Sequence, residues 1–230
     1  MNSAVFYGRA RNALAGLFGN RALKRGIREA TEIWAALRPK LDLSRDMAAN
    51  RRRGYMVKHI RAAGLPSPVR YLEIGAFEGG SLAFIHALFA GQVQATVIDP
   101  FIDYDELRGT DMSRVEARFR ANMQAIGADV RILRGQSFEF IPELRAANES
   151  FDLIYVDGSH ELLDVMADAA LSWPLLASGG LMIFDDYRYP GVKPAVDAFV
   201  KLISADAIVA DIGAQAFVRR RRLPELENNM

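Results

Sequence analysis

The sequence predicts an α/β protein: a seven-stranded, mostly parallel sheet with helices on both faces, preceded by an N-terminal helical extension. Three observations predict it. From Val69 onward, short apolar runs alternate with longer segments of helical periodicity, the pattern of parallel strands joined by helical crossovers. The last two runs, 207–212 and 215–220, are separated by little more than Gly213 and read as a closing hairpin, so the final strand runs antiparallel. The apolar runs end on glycine or acid (Glu73 and Gly75, Asp99, Gly135 and Gln136, Asp157, Asp185 and Asp186), which is where a doubly wound sheet binds its ligands.

The N-terminal elements come first. Residues 5–18 and 22–38 carry apolar residues at helical spacing, with Ile27, Ala30, Ile33, Trp34 and Leu37 on one stripe before Pro39 stops the pattern. Two N-terminal helices are expected, packed on the main domain or on a second subunit, so that a homo-oligomer would form through them. Ser44 precedes a helical run to Ala63, with Tyr55, Met56, Val57 and Ile60 inward and Gly64 as C-cap. Pro66 and Pro68 make a rigid linker. Strands are then expected at 70–74, 93–98, 130–133, 152–156 and 180–184, and helices at 80–90, 113–126, 138–146, 161–173 and 192–204. The expected division is a basic helical extension over 1–64, the α/β domain over 65–222 and a tail over 223–230.

Composition bounds the function. Of 230 residues, half are apolar and a quarter charged, enough for one α/β domain and a modest extension. No window approaches eighteen uninterrupted apolar residues, so no membrane span is expected. Arg9, Arg11 and Arg21 interrupt the first hydrophobes, which argues against secretion, and a cytoplasmic enzyme is the expectation. With no cysteine, there is no disulfide framework and no thiolate ligand or nucleophile. The net charge of +1 hides an asymmetry: residues 1–70 hold 15 Lys+Arg against 4 Asp+Glu, the rest 14 against 24. Arg51, Arg52 and Arg53 suit either a nucleic-acid or anionic-membrane contact or a helical cap whose basic face lies on the acidic body or simply faces water, and the second is expected.

The first strand leads into YLEIGAFEGGS, Tyr71 to Ser81. A dinucleotide fingerprint asks for glycine two residues after Gly75, where the backbone must approach a pyrophosphate. Phe77 stands there, which disfavours NAD and FAD. Asp99 ends the second strand, where an acceptor-only carboxylate takes hydrogen bonds from ribose hydroxyls. On its own the same pattern also describes a tight strand-to-helix turn, with Asp99 capping the segment after its strand. The spacing Glu73-x-Gly75-x-x-x-Gly79 resembles the first motif of class I S-adenosylmethionine-dependent methyltransferases, whose Rossmann-like sheet has the predicted strand pattern. That resemblance implies cofactor contacts from Glu73, Gly75, Ala76, Phe77, Gly79, Ser81, Asp99, Pro100 and Asp157, with Gln136 and Ser137 at the adenine. Ser137 is also a good N-cap for the following helix.

Phe151 to Tyr187, with D-G-S-H at Asp157 to His160 and D-D at Asp185 and Asp186, resembles the macrocin-type O-methyltransferases of antibiotic sugars. The likeness spans about residues 70–204 and includes Pro190 to Phe199; the first 60 residues lie outside it. Physically, strands four and five are neighbours about 4.8 Å apart, so the carboxylates at their ends converge. Three such anions suit a hard divalent cation, and Asp157, Asp185 and Asp186 are the expected Mg²⁺ ligands. Alternatively, Asp185 and Asp186 solvate a loop and Asp157 forms a D-G turn. The resemblance makes His160 the proposed base, with Asp157 beside it in catalysis; a helix cap or a partner for Asp157 are its other roles. Tyr104 and Phe101 are expected near the cofactor, and Tyr187, Arg188 and Tyr189 near the acceptor.

The expected function is methyl transfer from S-adenosylmethionine to a hydroxyl of a small molecule, assisted by a divalent cation, with nucleic acid not expected as a partner. Two alternatives come from other classes. The same D-G-S-H and D-D pattern resembles proteins described as cephalosporin hydroxylases, whose chemistry would need a redox metal and a site of two histidines and one carboxylate. A non-catalytic protein that binds through its basic arm is the other.

Overall fold

A computed structural model of the chain describes residues 13–44, 49–102 and 112–222. The start of the helix expected from residue 5, Tyr104 and the 223–230 tail lie outside the described residues.

Two helices come first, α1 (Ala13–Leu37) and α2 (Asn50–Ala63). The sequence suggests a break between residues 18 and 22, but α1 runs through it. A glycine inside a helix costs about 1 kcal/mol against alanine, and packing along α2 outweighs that. The two helices cross at a glycine pair: a Cβ on Gly26 would stand 2.5 Å from the Gly54 carbonyl oxygen. Gly64 ends α2 in the left-handed conformation expected of it (φ 61°).

The strands and helices then alternate: β1 (Val69–Ile74), α3 (Gly80–Leu88), β2 (Val93–Ile98), α4 (Val115–Ala125), β3 (Val130–Leu133), α5 (Ser137–Ala146), β4 (Phe151–Val156), α6 (Leu162–Ser172), β5 (Leu176–Phe184), α7 (Val192–Leu202), β6 (Ala207–Ile212) and β7 (Ala216–Arg220). The strands order as β3-β2-β1-β4-β5-β7-β6, parallel except that β7 runs antiparallel to both its neighbours. The fold class is the one the sequence predicts, down to the hairpin. Expected element ends differ by a few residues, most at α2, which begins at Asn50 with Ala49 rather than Ser44 at its N-cap, and at β5, which begins at Leu176 rather than 180.

Side chains along β1 and β4 alternate between two buried layers. Tyr71, Leu153 and Tyr155 face one layer with α1, α2, α3 and α4; Leu72, Ile74, Ile154 and Val156 face the other with α5, α6 and α7. The N-terminal helices thus share the sheet's core: Ala30, Trp34, Met56 and Ile60 pack in the same cluster as Tyr71 and Phe217. No helix among the described residues is long and apolar enough to cross a membrane.

Candidate functional site

The strand order reverses beside β1, and there the carboxyl ends of the parallel strands open into a cavity of about 840 Å³. That volume is within the range of small-molecule sites. Main-chain hydrogen bonds continue the sheet one residue beyond its strands: Gly75 N–H to Ile98 O (2.9 Å), Asp157 N–H to Ile74 O (2.8 Å) and Asp185 N–H to Val156 O (3.0 Å). The rim of the cavity is therefore rigid.

Gly75 is required by this geometry. Its φ is +81°, and a Cβ there would lie 2.1 Å from the Asp157 carbonyl oxygen. The glycine loop and the β4 end touch main chain to main chain. Gly79 (φ +82°) turns the chain into α3, and a Cβ on it would meet the Met123 methyl at 2.6 Å. Phe77 holds a positive φ of 49°, and so do Phe101 (49°) and Asp186 (43°), all three beside the strand ends. Such conformations cost non-glycine residues free energy and concentrate at ligand sites.

Asp99 lies at the cavity, as expected, and also holds main chain there. Its Oδ2 accepts the main-chain N–H groups of Ala76 (2.7 Å) and Phe77 (2.9 Å), and its Oδ1 accepts that of Phe101 (2.6 Å). The carboxylate thus shapes the glycine loop and holds the Phe101 turn; it also lines the cavity, and Oδ1, with a single donor, keeps a lone pair that a ribose hydroxyl could use. Burial still raises its pKa against those three donors. Pro100 lines the cavity beside it. Glu73 does not line the cavity: fully buried below it, Glu73 accepts a short hydrogen bond from Ser81 on Oε1, and the buried Tyr71 hydroxyl interacts with the same carboxyl. Desolvation pushes its pKa up to about 8, so it is protonated at neutral pH.

Gln136 and Ser137 line the cavity at the end of β3. Ser137 is not the N-cap it resembled. It is the first residue of α5, after Gln136, and its hydroxyl hydrogen-bonds the Asp168 carboxylate on α6. Asp168 is buried, and desolvation raises its pKa to about 6.

The acidic group converges as the sheet register requires. Tyr155 pairs with Ile183, so Asp157 and Asp185 stand opposite each other two residues on. The three carboxylates nevertheless divide. One oxygen each from Asp157 and Asp186 and a ring nitrogen of His160 lie within 4.8 Å of one another, a donor set that fits a divalent cation. Asp185 is engaged elsewhere: the Tyr155 hydroxyl donates to Oδ2, while Oδ1 accepts the Asp186 N–H (2.8 Å) and sits 3.1 Å from Arg52 Nη1. Arg52 Nη2 also reaches Asp186 Oδ1 at 3.0 Å. Burial and the neighbouring carboxylates drive the Asp157 pKa well above its ordinary value. His160 Nε2 lies 3.6 Å from Asp186 Oδ2, and its ring packs on Tyr189 with centroids 4.4 Å apart. Its main chain is fixed by Gly191, where a Cβ would stand 2.0 Å from the His160 carbonyl oxygen. Tyr187 points away, hydrogen-bonding Asp197, and Arg188 is exposed, reaching the Gly213 carbonyl at 3.4 Å.

Two arginines of the basic arm face inward, while Arg21, Arg25, Arg28 and Arg51 are exposed. Arg52 joins the acidic pair, Arg53 lies 3.5 Å over the Trp34 ring, and both line the cavity. The sequence suggests a helical cap whose basic face lies on the acidic body or faces water; Arg52 meets the first description, and nothing local in the sequence singles it out for a contact inside the cavity. Sequence reasoning also misses the clamp that holds the 42–44 segment at the cavity. Buried Asn122 accepts from Asp42 N–H (2.7 Å) and donates to the carbonyls of Asp42 (3.0 Å) and Glu78 (2.8 Å). Buried Glu78 accepts from Ser44 N–H (2.6 Å) and Arg118 (2.8 Å).

Comparison with known proteins supplies a family. A model of the methyltransferase domain matches residues 72–187. Among curated proteins, an O-methyltransferase of Aspergillus hancockii, hkm8, is 29% identical over 123 residues, covering 53% of this chain and 44% of that protein. An uncharacterised protein of Acanthamoeba polyphaga mimivirus is 30% identical over 143 residues, covering 59% and 61%. The chain thus spans about half the length of these relatives. Among solved structures, the MycE methyltransferase of the mycinamycin biosynthetic pathway, in complex with Mg, SAH and mycinamycin VI, superposes with a TM-score of 0.56 at 21% identity, covering 85% of this chain and 55% of MycE. The O-methyltransferase NovP superposes at 0.52 with 17% identity, covering 72% and 76%. At these identities the structural likeness establishes the fold.

Proposed function

The chain belongs to the methyltransferase-domain family, and on that premise we propose that it transfers a methyl group from S-adenosylmethionine to a hydroxyl oxygen of a small molecule, assisted by a divalent cation. One observation carries the proposal: the glycine cradle and the donor set meet at Asp157, whose carbonyl touches Gly75 and whose carboxylate groups with Asp186 and His160. Cofactor and cation would then adjoin in one cavity. MycE, solved with both Mg and SAH, and the O-methyltransferase hkm8 agree with this reading.

The cofactor would be held by the loop from Gly75 to Gly79, shaped by Asp99, with Pro100, Gln136 and Ser137 along its adenine end. Ser81 lines the cavity beside that loop, and Glu73 supports it from beneath by accepting the Ser81 hydroxyl. Asp157 and Asp186 would hold the cation. When bound, the cofactor supplies an electrophilic methyl group and the cation stabilises negative charge on the acceptor oxygen. The rigid strand ends orient both groups, and His160, beside Asp157 and Asp186 at the edge of the cation site, would receive the hydroxyl proton and leave the two carboxylates to the cation. Most of the acceleration would come from positioning. Trp34, Leu43, Arg53 and Met56 make the N-terminal wall of the cavity and would meet the acceptor.

The hydroxylase alternative is less supported, because the donor set among the described residues holds one histidine and two carboxylates. Binding of nucleic acid by the arm is less supported because Arg52 and Arg53 point into the cavity. The test is calorimetric titration with S-adenosylhomocysteine, with and without Mg²⁺, on wild type and Asp157→Asn. Wild type is expected to bind both, and the variant to lose the Mg²⁺ response. A wild type that binds no S-adenosylhomocysteine overturns the proposal.

A further inference from the structure

The site contains a cation of its own. Arg52, in the first turn of α2, presents Nη1 to Asp185 Oδ1 at 3.1 Å and Nη2 to Asp186 Oδ1 at 3.0 Å. Its side chain is three-quarters buried, and that of Asp185 almost wholly so. Both Asp185 oxygens are thereby used, one by Arg52 and the Asp186 N–H, the other by the Tyr155 hydroxyl. Tyr155 is itself held by the Gln215 amide at 3.2 Å. Asp186 is split differently: Oδ1 faces Arg52, while Oδ2 is on the side of His160.

Building on the proposed cation site, we infer that Arg52 is a fixed counter-charge that keeps Asp185 out of the cation's ligand set and so limits how tightly the site holds a divalent ion. A cation at Asp157 and Asp186 leaves the Arg52 contacts intact. A cation taking Asp185 as well must displace a guanidinium held by two carboxylates. Arg52 belongs to the N-terminal helices, so the segment that forms the acceptor wall also sets the charge of the metal centre. The three carboxylates and one guanidinium sum to two negative charges when all are ionised, which matches one divalent cation.

The sign of the effect separates this role from a structural one. If Arg52 only tied α2 to the sheet, its loss would loosen Asp186 and weaken ion binding. If it is a counter-charge, its loss removes a repulsion and frees a carboxylate, so binding tightens. One unit charge about 6 Å from a divalent ion corresponds to about tenfold in affinity at the dielectric of bulk water, the lower bound for a partly buried site.

The test is calorimetric titration of Mg²⁺ and Mn²⁺ into wild type, Arg52→Met and Arg52→Lys, each with S-adenosylhomocysteine present. Arg51→Met is the control, since Arg51 is exposed on the same helix turn beside Tyr55. The expected result is about tenfold tighter binding by Arg52→Met, less by Arg52→Lys, which keeps the charge without the two-pronged reach, and no change beyond twofold for Arg51→Met. If Arg52→Met fails to fold, Arg52→Gln, which also removes the charge, carries the test, and affinity equal to or below wild type overturns the inference. Equal or weaker binding by Arg52→Met overturns it while leaving the cation site standing. Absence of ion binding in wild type and variants alike overturns both.

Discussion

Replacing Gly75 with alanine attacks the point where the two halves of the site touch. The new Cβ would lie 2.1 Å from the Asp157 carbonyl oxygen, 2.6 Å from its carbon and 2.7 Å from the Gly158 Cα, all main-chain atoms. Ordinary contacts are near 3.5 Å, so one strand end must move by about 1 Å. No side-chain rotation relieves this, because Gly75 and Asp157 are each hydrogen-bonded into the sheet. The positive φ adds about 1 kcal/mol for any L side chain, and a clash of this kind a further 1–3 kcal/mol or so. A loss of about 2–4 kcal/mol is expected by chemical denaturation. Affinity for S-adenosylhomocysteine should fall by roughly 100-fold, the scale of a 1 Å misplacement in a preorganised site. Gly127→Ala is the control: its φ is +68°, but nothing lies within 4 Å of a Cβ there. It should show the conformational cost alone, about 1 kcal/mol, and bind normally. If Gly75→Ala is no less stable than Gly127→Ala and binds as wild type, the reasoning about the cradle is refuted.

Three further outcomes are expected. Glu73→Gln tests burial of a protonated acid: with the folded pKa near 8 and the unfolded one near 4.3, wild type loses stability as pH rises through 8. From pH 6.5 to 9 that loss is about 2 kcal/mol, and the neutral amide should not show it; identical profiles in urea denaturation would contradict the shift. Asn122→Ala cuts three hydrogen bonds at a buried position and should cost about 2–4 kcal/mol, measured by denaturant midpoint; a change below about 0.5 kcal/mol would show that the 42–44 clamp contributes little. Gly191→Ala should displace His160 through its carbonyl and lower turnover on an identified acceptor by about 100-fold, with S-adenosylhomocysteine affinity within threefold of wild type; unchanged turnover would remove His160 from the reaction.

Much of this site is legible in the sequence because a parallel sheet turns chain order into geometry. Each strand ends at the same edge, so an acid or glycine closing an apolar run belongs to one locus, and Asp157 and Asp185 meet there as expected. Phe77 is informative for the same reason. What remains hidden lies in pairings across long stretches of chain. Arg52 meets Asp186 across 134 positions, and in the sequence it is one of three consecutive arginines. The sequence does not reveal that Asp99, read as a ribose acceptor, also takes three main-chain donors. Glu73 reads as a cofactor contact, yet strand alternation turns it into the layer beneath α1 and α2. The run from 5 to 38 looks interrupted because single-residue propensity is weak against packing along a partner helix.

The central claim is that cofactor and cation share one cavity, joined at Asp157. A crystal of the protein grown with S-adenosylhomocysteine and Mn²⁺, with anomalous maps at the manganese and sulfur edges, tests it most directly. The account predicts a manganese peak bonded by Asp157 and Asp186, with Asp185 still on Arg52 and Tyr155, and the sulfur of the cofactor product over the loop from Gly75 to Gly79. Manganese remote from Asp157, or sulfur outside that loop, would contradict it.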